Sequence, residues 1–190
     1  MKAHSLVLSD IMAARKLIPG DTYSKFREAM PIACADAIVW DRDRAAVLLG
    51  KRADPPVQDV WWFIGGRIHR GETVAEAVAA NVLSETGLKV KLVNNGIVGI
   101  GTTIFKIGED RHTPNVTCLV EVVGGELQQT KHFSEIRWIE TLNDVPLLEY
   151  VRDQIDVSGV LRGSPAMGIR EYVLDERELS PTYITEIARN

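Results

Sequence analysis

Residues 60–88 constrain this chain more tightly than any other stretch. An aromatic run at 60–64 ends at Gly65-Gly66, and a short polar segment leads into Thr73-Val74-Ala75-Glu76. That tetrad is a capping box, in which the Thr hydroxyl and the Glu carboxylate satisfy reciprocal backbone N–H groups at a helix start. Gly87 then supplies the left-handed stop. The sequence therefore predicts strand, glycine turn, loop, capped helix and stop within one continuous segment.

Elements on either side follow from the same punctuation. Residues 32–40 read as a strand, Asp41-Arg42-Asp43-Arg44 as a polar turn and 45–49 as its partner, giving a hairpin. Beyond Gly87, residues 89–93, 96–107, 115–123 and 135–139 read as four more strands, and 145–155 as a closing helix. Residues 6–30 read as one or two amphipathic helices, the first opened by Ser9 or Asp10 and ended near Pro19-Gly20, the second over 23–30. The order is α+β: a mixed β-sheet sandwiched between helices. We expect an N-terminal helical extension over 1–30, one domain over 31–156 and a C-terminal extension over 157–190. The two extensions are placed to pack on the domain or on a second subunit of a homodimer.

The bulk composition bounds the chemistry. A net charge of −4 is opposed to a nucleic-acid footprint, which needs clustered Lys and Arg. A polyanionic ligand must therefore be held locally, by individual arginines beside glycine turns. No apolar run reaches the ~20 residues that span a bilayer, and the first residues do not form a signal-peptide core, so the expectation is a cytoplasmic protein without a membrane partner. Cys34 and Cys118 lie in apolar strand-like runs without metal spacing and read as buried reduced thiols.

The stretch GRIHRGETVAEAVAANVLSETGL, residues 66–88, resembles the Nudix box: Gly, five residues, Glu, seven residues, then Arg-Glu-apolar-x-Glu-Glu-x-Gly-apolar. Gly66, Glu72, Val82, Glu85, Gly87 and Leu88 fall in register. Ala80, Asn81 and Ser84 depart, because the family carries Arg, Glu and Glu there. The resemblance implies a loop and helix that gather carboxylates for a hard cation on a diphosphate. With Asn81 and Ser84 neutral, one Mg²⁺ is expected, since Mg²⁺ takes one or two carboxylates and completes its shell with water and phosphate oxygens.

Retention of Glu85 alone is similar to one branch, the GDP-mannose mannosyl hydrolases. Leu49-Gly50-Lys51-Arg52, the Pro-containing loop after it, the run to Gly65-Gly66-Arg67 and Asp36 in the preceding strand extend that resemblance over about residues 32–140. It implies a metal held by Glu85 and the Gly65 carbonyl. It also implies that Arg52, Arg67 and Asp36 bind substrate, with Arg52 and Asp36 also serving the leaving group. His132, ahead of Arg137-Trp138 at a spacing one residue longer, would be the general base; its ordinary pKa of ~6.5 suits that duty. The implied reaction is attack on the anomeric carbon of a nucleotide sugar, releasing nucleoside diphosphate and free sugar.

Blander readings attach to the same residues. Glu72, beside a helix N-terminus where a carboxylate is favoured, reads as a residue that orients the loop. Trp61 and Trp62 read as packing, and His4, His69 and His112 as surface residues. Asp36 is unusual, because an unpaired carboxylate inside an apolar strand is costly. Two other functions stay open: a pyrophosphohydrolase of ADP-ribose or a related nucleoside diphosphate derivative, and a non-catalytic nucleotide-binding module.

Overall fold

The structure is a computed structural model and describes residues 11–13, 15, 18–54, 58–105, 111–128, 130–162, 171–175 and 185–186. Helix α1 (Gly20–Ala29) leads into the hairpin β1 (Cys34–Asp41) and β2 (Ala46–Arg52). Short strands β3 (Trp61–Trp62) and β4 (Ile64–Arg67) precede helix α2 (Val74–Thr86). Then come β5 (Leu88–Phe105), β6 (Arg111–Gly125), β7 (Phe133–Ile139), helix α3 (Glu149–Ser158), β8 (Glu171–Asp175) and β9 (Thr185–Glu186).

The sheet is mixed, in the order β3-β2-β1-β6-β5-β8-β9, with β4 paired to β1 and β7 to β2. β1 is its centre: β2 and β4 lie antiparallel along one edge and β6 parallel along the other. Alternation along β1 feeds two cores. Ile38 and Trp40 pack with Tyr150, Val151 and Ile155 of α3, while Ala35, Ala37 and Val39 pack with Ala77, Val78 and Val82 of α2. A strand buried on both faces carries apolar residues throughout, which is why residues 32–40 lack alternation. The expected α+β sandwich is therefore the one observed.

Helix α2 begins and ends as its sequence dictates. Thr73 accepts from the Glu76 amide, the Glu76 side chain accepts from the Thr73 amide, and Gly87 closes the helix at φ 76°. Elsewhere the boundaries move. Residues 89–93 and 96–107, expected as two strands, fall in the single strand β5, whose register shifts around Leu92–Ile97, where Gly96 has φ 75°. The glycine there makes a bulge instead of a turn. Residues 106 and 107 lie outside the described residues. Helix α3 starts at Glu149, later than expected: its N-cap Leu148 is extended at ψ 147°, and a proline at 146 disfavours helical backbone at the residue before it.

At the N-terminus, residues 11–13 are helical; Ser9 and Asp10 lie outside the described residues. Helix α1 starts three residues ahead of the expected Tyr23 and buries no residue fully. No strand was foreseen beyond residue 158, yet β8 pairs parallel with the far half of β5, and β9 pairs antiparallel with β8. Among the described residues no helix is long and apolar enough to cross a membrane.

Candidate active site

A cleft of about 190 Å³ opens at one end of the α3-side core. Its lining includes Asp36 from β1, Arg52 from the end of β2, Gly65, Gly66 and Arg67 from β4, and Tyr23 and Arg27 from α1. In-register pairing explains most of this convergence. Asp36 lies opposite Gly65 on one side and Thr117 on the other, and Cys34 lies opposite Arg67 and Asn115. Arg52 arrives differently: the β2–β7 register shifts between Lys51 and Arg52, and such a bulge re-aims the side chain that follows it.

Gly65 is needed for close approach. A Cβ there would stand 2.6 Å from the Ala35 carbonyl oxygen and 2.6 Å from Asp36 Oδ1. Asp36 is 5% exposed. Burial pushes its carboxyl up to about 7, against the pull of Arg52 and of a hydrogen bond from Asn115. Its Oδ2 is buried without a hydrogen-bond partner. Behind it, burial raises the pKa of the Tyr150 hydroxyl far above the ordinary phenol value, against the pull of the neighbouring Thr117, Gln154 and Asn115.

Glu85, the penultimate residue of α2, extends its carboxylate to the same glycine: the Gly65 amide donates to Glu85 Oε2 at 3.2 Å. Burial pushes this carboxyl up to about 8; the Gly65 amide opposes the shift and the charge of Asp36 adds to it. Among the described residues no cationic side chain forms an ion pair with Glu85. Two carboxyl groups thus converge on Gly65, one along the strand pair and one from the helix, and both hold protons more tightly than usual.

The departed box positions take structural roles. Asn81 is 5% exposed, and its Nδ2 donates to the Arg67 carbonyl at 3.4 Å, tying the helix to β4. Ser84 is exposed and donates to the Asn81 carbonyl. Among the described residues no group of three or more His, Cys, Asp or Glu side chains is placed to hold a metal ion.

Glu72 is a loop-orienting residue with a partner the sequence did not disclose. Arg15 Nε donates to Glu72 Oε1 at 2.7 Å, Arg15 Nη2 donates to Oε2 at 3.3 Å, and the His69 amide donates to Oε2 at 2.9 Å. Burial alone would raise the Glu72 pKa; the bonds from Arg15 and His69 outweigh it and hold the carboxyl below its ordinary value. Breaking a buried pair strands the remaining charge. Arg15→Met is therefore expected to cost about 2–3 kcal/mol in urea denaturation at pH 7. A depressed carboxylate pKa stabilises the fold above the unfolded value and ceases to do so as pH falls through the folded one. The difference between Arg15→Met and the native chain should accordingly shrink as pH falls below the ordinary carboxylate value of 4.5 and close once pH has passed below the depressed value in the folded state.

Of the residues singled out in the sequence, the cleft brings together Asp36, Arg52, Gly65 and Arg67, with Glu85 bonded to its glycine. It does not bring in His132, whose exposed side chain sits on the turn before β7 and whose carbonyl accepts from the Ala53 amide at 3.2 Å. His112, read as a surface residue, is exposed but lines the cleft, as do Thr103, Thr113 and Asn115. Trp61 and Trp62 are buried as expected, and Trp62 also stacks on Tyr150 at 5.5 Å and borders the cleft. Cys118 is buried, whereas Cys34 is only half-buried and borders the cleft.

Comparison with known proteins follows the same lines. The NUDIX domain model matches residues 30–156, more than half of the chain. A curated ADP-ribose pyrophosphatase of Methanocaldococcus jannaschii is 29% identical over 143 residues, covering 75% of this chain and 81% of that protein. Among solved structures, a NUDIX hydrolase from Nitrosomonas europaea superposes with a TM-score of 0.58 at 16% identity, over 76% of this chain and 79% of the other. An ADP-ribose pyrophosphatase from Streptococcus suis gives 0.54 at 20% identity, over 75% and 99%. These likenesses carry the fold, and the family match spans every cleft residue named above except those on α1. With strand, glycine turn and capped helix all in register, the chain belongs to the NUDIX domain family.

Proposed function

We propose that the protein is a Mg²⁺-dependent hydrolase of a nucleoside diphosphate linked to a sugar, cleaving between the phosphorus atoms as an ADP-ribose pyrophosphatase does. The observation that carries this reading is the convergence of Glu85 and Asp36 on Gly65, beside Arg52. A half-buried carboxyl raised to about 8, with no ion-pair partner among the described residues, is a group that a bound cation would stabilise in its charged form. Glu85 and the Gly65 carbonyl are the residues that would hold Mg²⁺. The ion would contribute charge neutralisation on the diphosphate oxygens.

The chain's own groups do the rest. Arg52 and Arg67 bind diphosphate oxygens through guanidinium N–H edges, which match phosphate geometry. Charge that develops on the departing phosphate is met by these fixed cations. Asp36, with its carboxyl near 7, is half ionised at neutral pH and takes the proton from the attacking water. The cleft's about 190 Å³ is below the ~300 Å³ at which pockets begin to enclose a whole drug-sized ligand. It suits a diphosphate with one adjoining ring, the remainder lying at the mouth.

A second reading, cleavage at the anomeric carbon of a GDP-mannose-type sugar, is favoured by the neutral Asn81 and Ser84, which leave Glu85 as the only box acid on the last turns of the helix. It needs a base such as His132, and that side chain lies outside the cleft lining. Turnover of ADP-ribose and GDP-mannose in ¹⁸O water separates the two. Phosphorus–oxygen cleavage places label in a phosphate product; label in the free sugar would replace our reading with the second. Inertness toward both, with and without Mg²⁺, would leave a nucleotide-binding module.

A further inference from the structure

Helix α1 precedes the family match and buries no residue fully, yet it supplies Tyr23 and Arg27 to the cleft. Its half-buried Tyr23 ring is covered by the Arg67 guanidinium at 4.2 Å and approached by Arg27, one helical turn along, at 5.2 Å. Arg67 itself is the last residue of β4, two positions beyond Gly65. Among the described residues no carboxylate pairs with it, and the Tyr23 ring is its side chain's partner. A guanidinium over an aromatic face is held by the ring quadrupole, while its N–H donors remain in the guanidinium plane, at the edge. Cation, ring and cleft are therefore arranged so that the donors of Arg67 are ordered before any anion arrives. Ordering a flexible side chain in advance removes a cost that binding would otherwise carry.

We propose that Tyr23 is a positioning residue, stacking Arg67 so that its N–H edge meets the phosphate oxygens of the bound nucleoside diphosphate, which makes the N-terminal helix part of the binding site. The proposal rests on the nucleotide reading above. It goes further by assigning recognition to a segment that lies outside the family match. Leu in place of Tyr23 keeps an apolar contact and removes the quadrupole; Phe keeps both.

The test is a double-mutant cycle read by calorimetric titration of ADP in the presence of Mg²⁺. Tyr23→Leu should weaken ADP binding about tenfold, and Tyr23→Phe should recover most of that loss. Arg67→Ala should weaken binding at least as much, and the double variant should be no weaker than Arg67→Ala alone, because without the guanidinium the ring has nothing to position. Matching circular dichroism of Tyr23→Leu and the native chain guards against misfolding; α1 buries no core residue, so the fold should tolerate the change. Additive losses, or native affinity in Tyr23→Leu, overturn the role of Tyr23 and leave the nucleotide reading standing. A native chain that binds neither ADP nor GDP overturns the nucleotide reading itself, and the role of Tyr23 with it.

Discussion

Glu85→Gln should lower kcat/KM by about 10³-fold and at the same time make the metal-free protein more stable at pH 8. The two effects have one cause. The Glu85 carboxyl is pushed up to about 8 by burial and by Asp36, so between its ordinary value of 4.5 and 8 the native state holds a proton that the unfolded state has released. Where the native state binds more protons, stability falls as pH rises. The contribution of Glu85 to stability should therefore fall from about pH 4.5 upward, by an amount on the order of 1–3 kcal/mol at pH 8 once solvent relaxation is allowed for. Gln does not titrate, and its amide oxygen can still accept from the Gly65 amide. Denaturation of the two proteins in EDTA should give equal stabilities near pH 4 and a gap in favour of Glu85→Gln that widens to pH 8. A variant that loses activity and stability together would mark Glu85 as a structural residue.

Gly65→Ala is the second large effect. The added methyl would meet the Ala35 carbonyl oxygen at 2.6 Å, Asp36 Oδ1 at 2.6 Å and Asp36 Cα at 2.7 Å. Two of these atoms belong to the backbone of the central strand, which is paired on both edges and has no freedom to retreat. Overpacking of this kind costs about 3 kcal/mol, roughly 8 °C in Tm for a chain of this size. The strand pair must part or Asp36 must turn, and either moves the group proposed as the base, so kcat/KM should fall by at least ~10²-fold. Gly66→Ala is the control. Its methyl would find the Asn81 amide at 3.5 Å, an ordinary contact, and should cost under about 1 kcal/mol by denaturant titration.

The parts of this site that the sequence discloses are those encoded locally. Capping box, glycine stop and the spacing from Gly66 to Glu85 lie within one segment, so helix α2 and the residue at its end could be read directly. Asp36 stood out because a carboxylate in an apolar strand demands an explanation, and the structure gives it one at the cleft. What stayed hidden depends on pairing between distant segments. Arg15 and Glu72 are separated by 57 positions and nothing local links them. Asn115, Thr103 and Thr113 look like ordinary strand polar residues until the parallel β1–β6 register sets Asn115 beside Cys34. The stack of Tyr23 with Arg67 joins a helix to a strand that lies 44 positions further along, read from the two residue numbers. His132 shows the converse: a resemblance in spacing suggested a role, but one exposed turn is enough to keep a side chain out of a cleft.

Everything functional in this account depends on a cation binding at Glu85 beside Gly65. Titration of the metal-free protein with Mn²⁺ in the presence of ADP, followed by electron paramagnetic resonance, reads that directly. The account predicts one tightly held Mn²⁺ per chain in the native protein and none in Glu85→Gln. Equal uptake by the two proteins, or none by either, would contradict it.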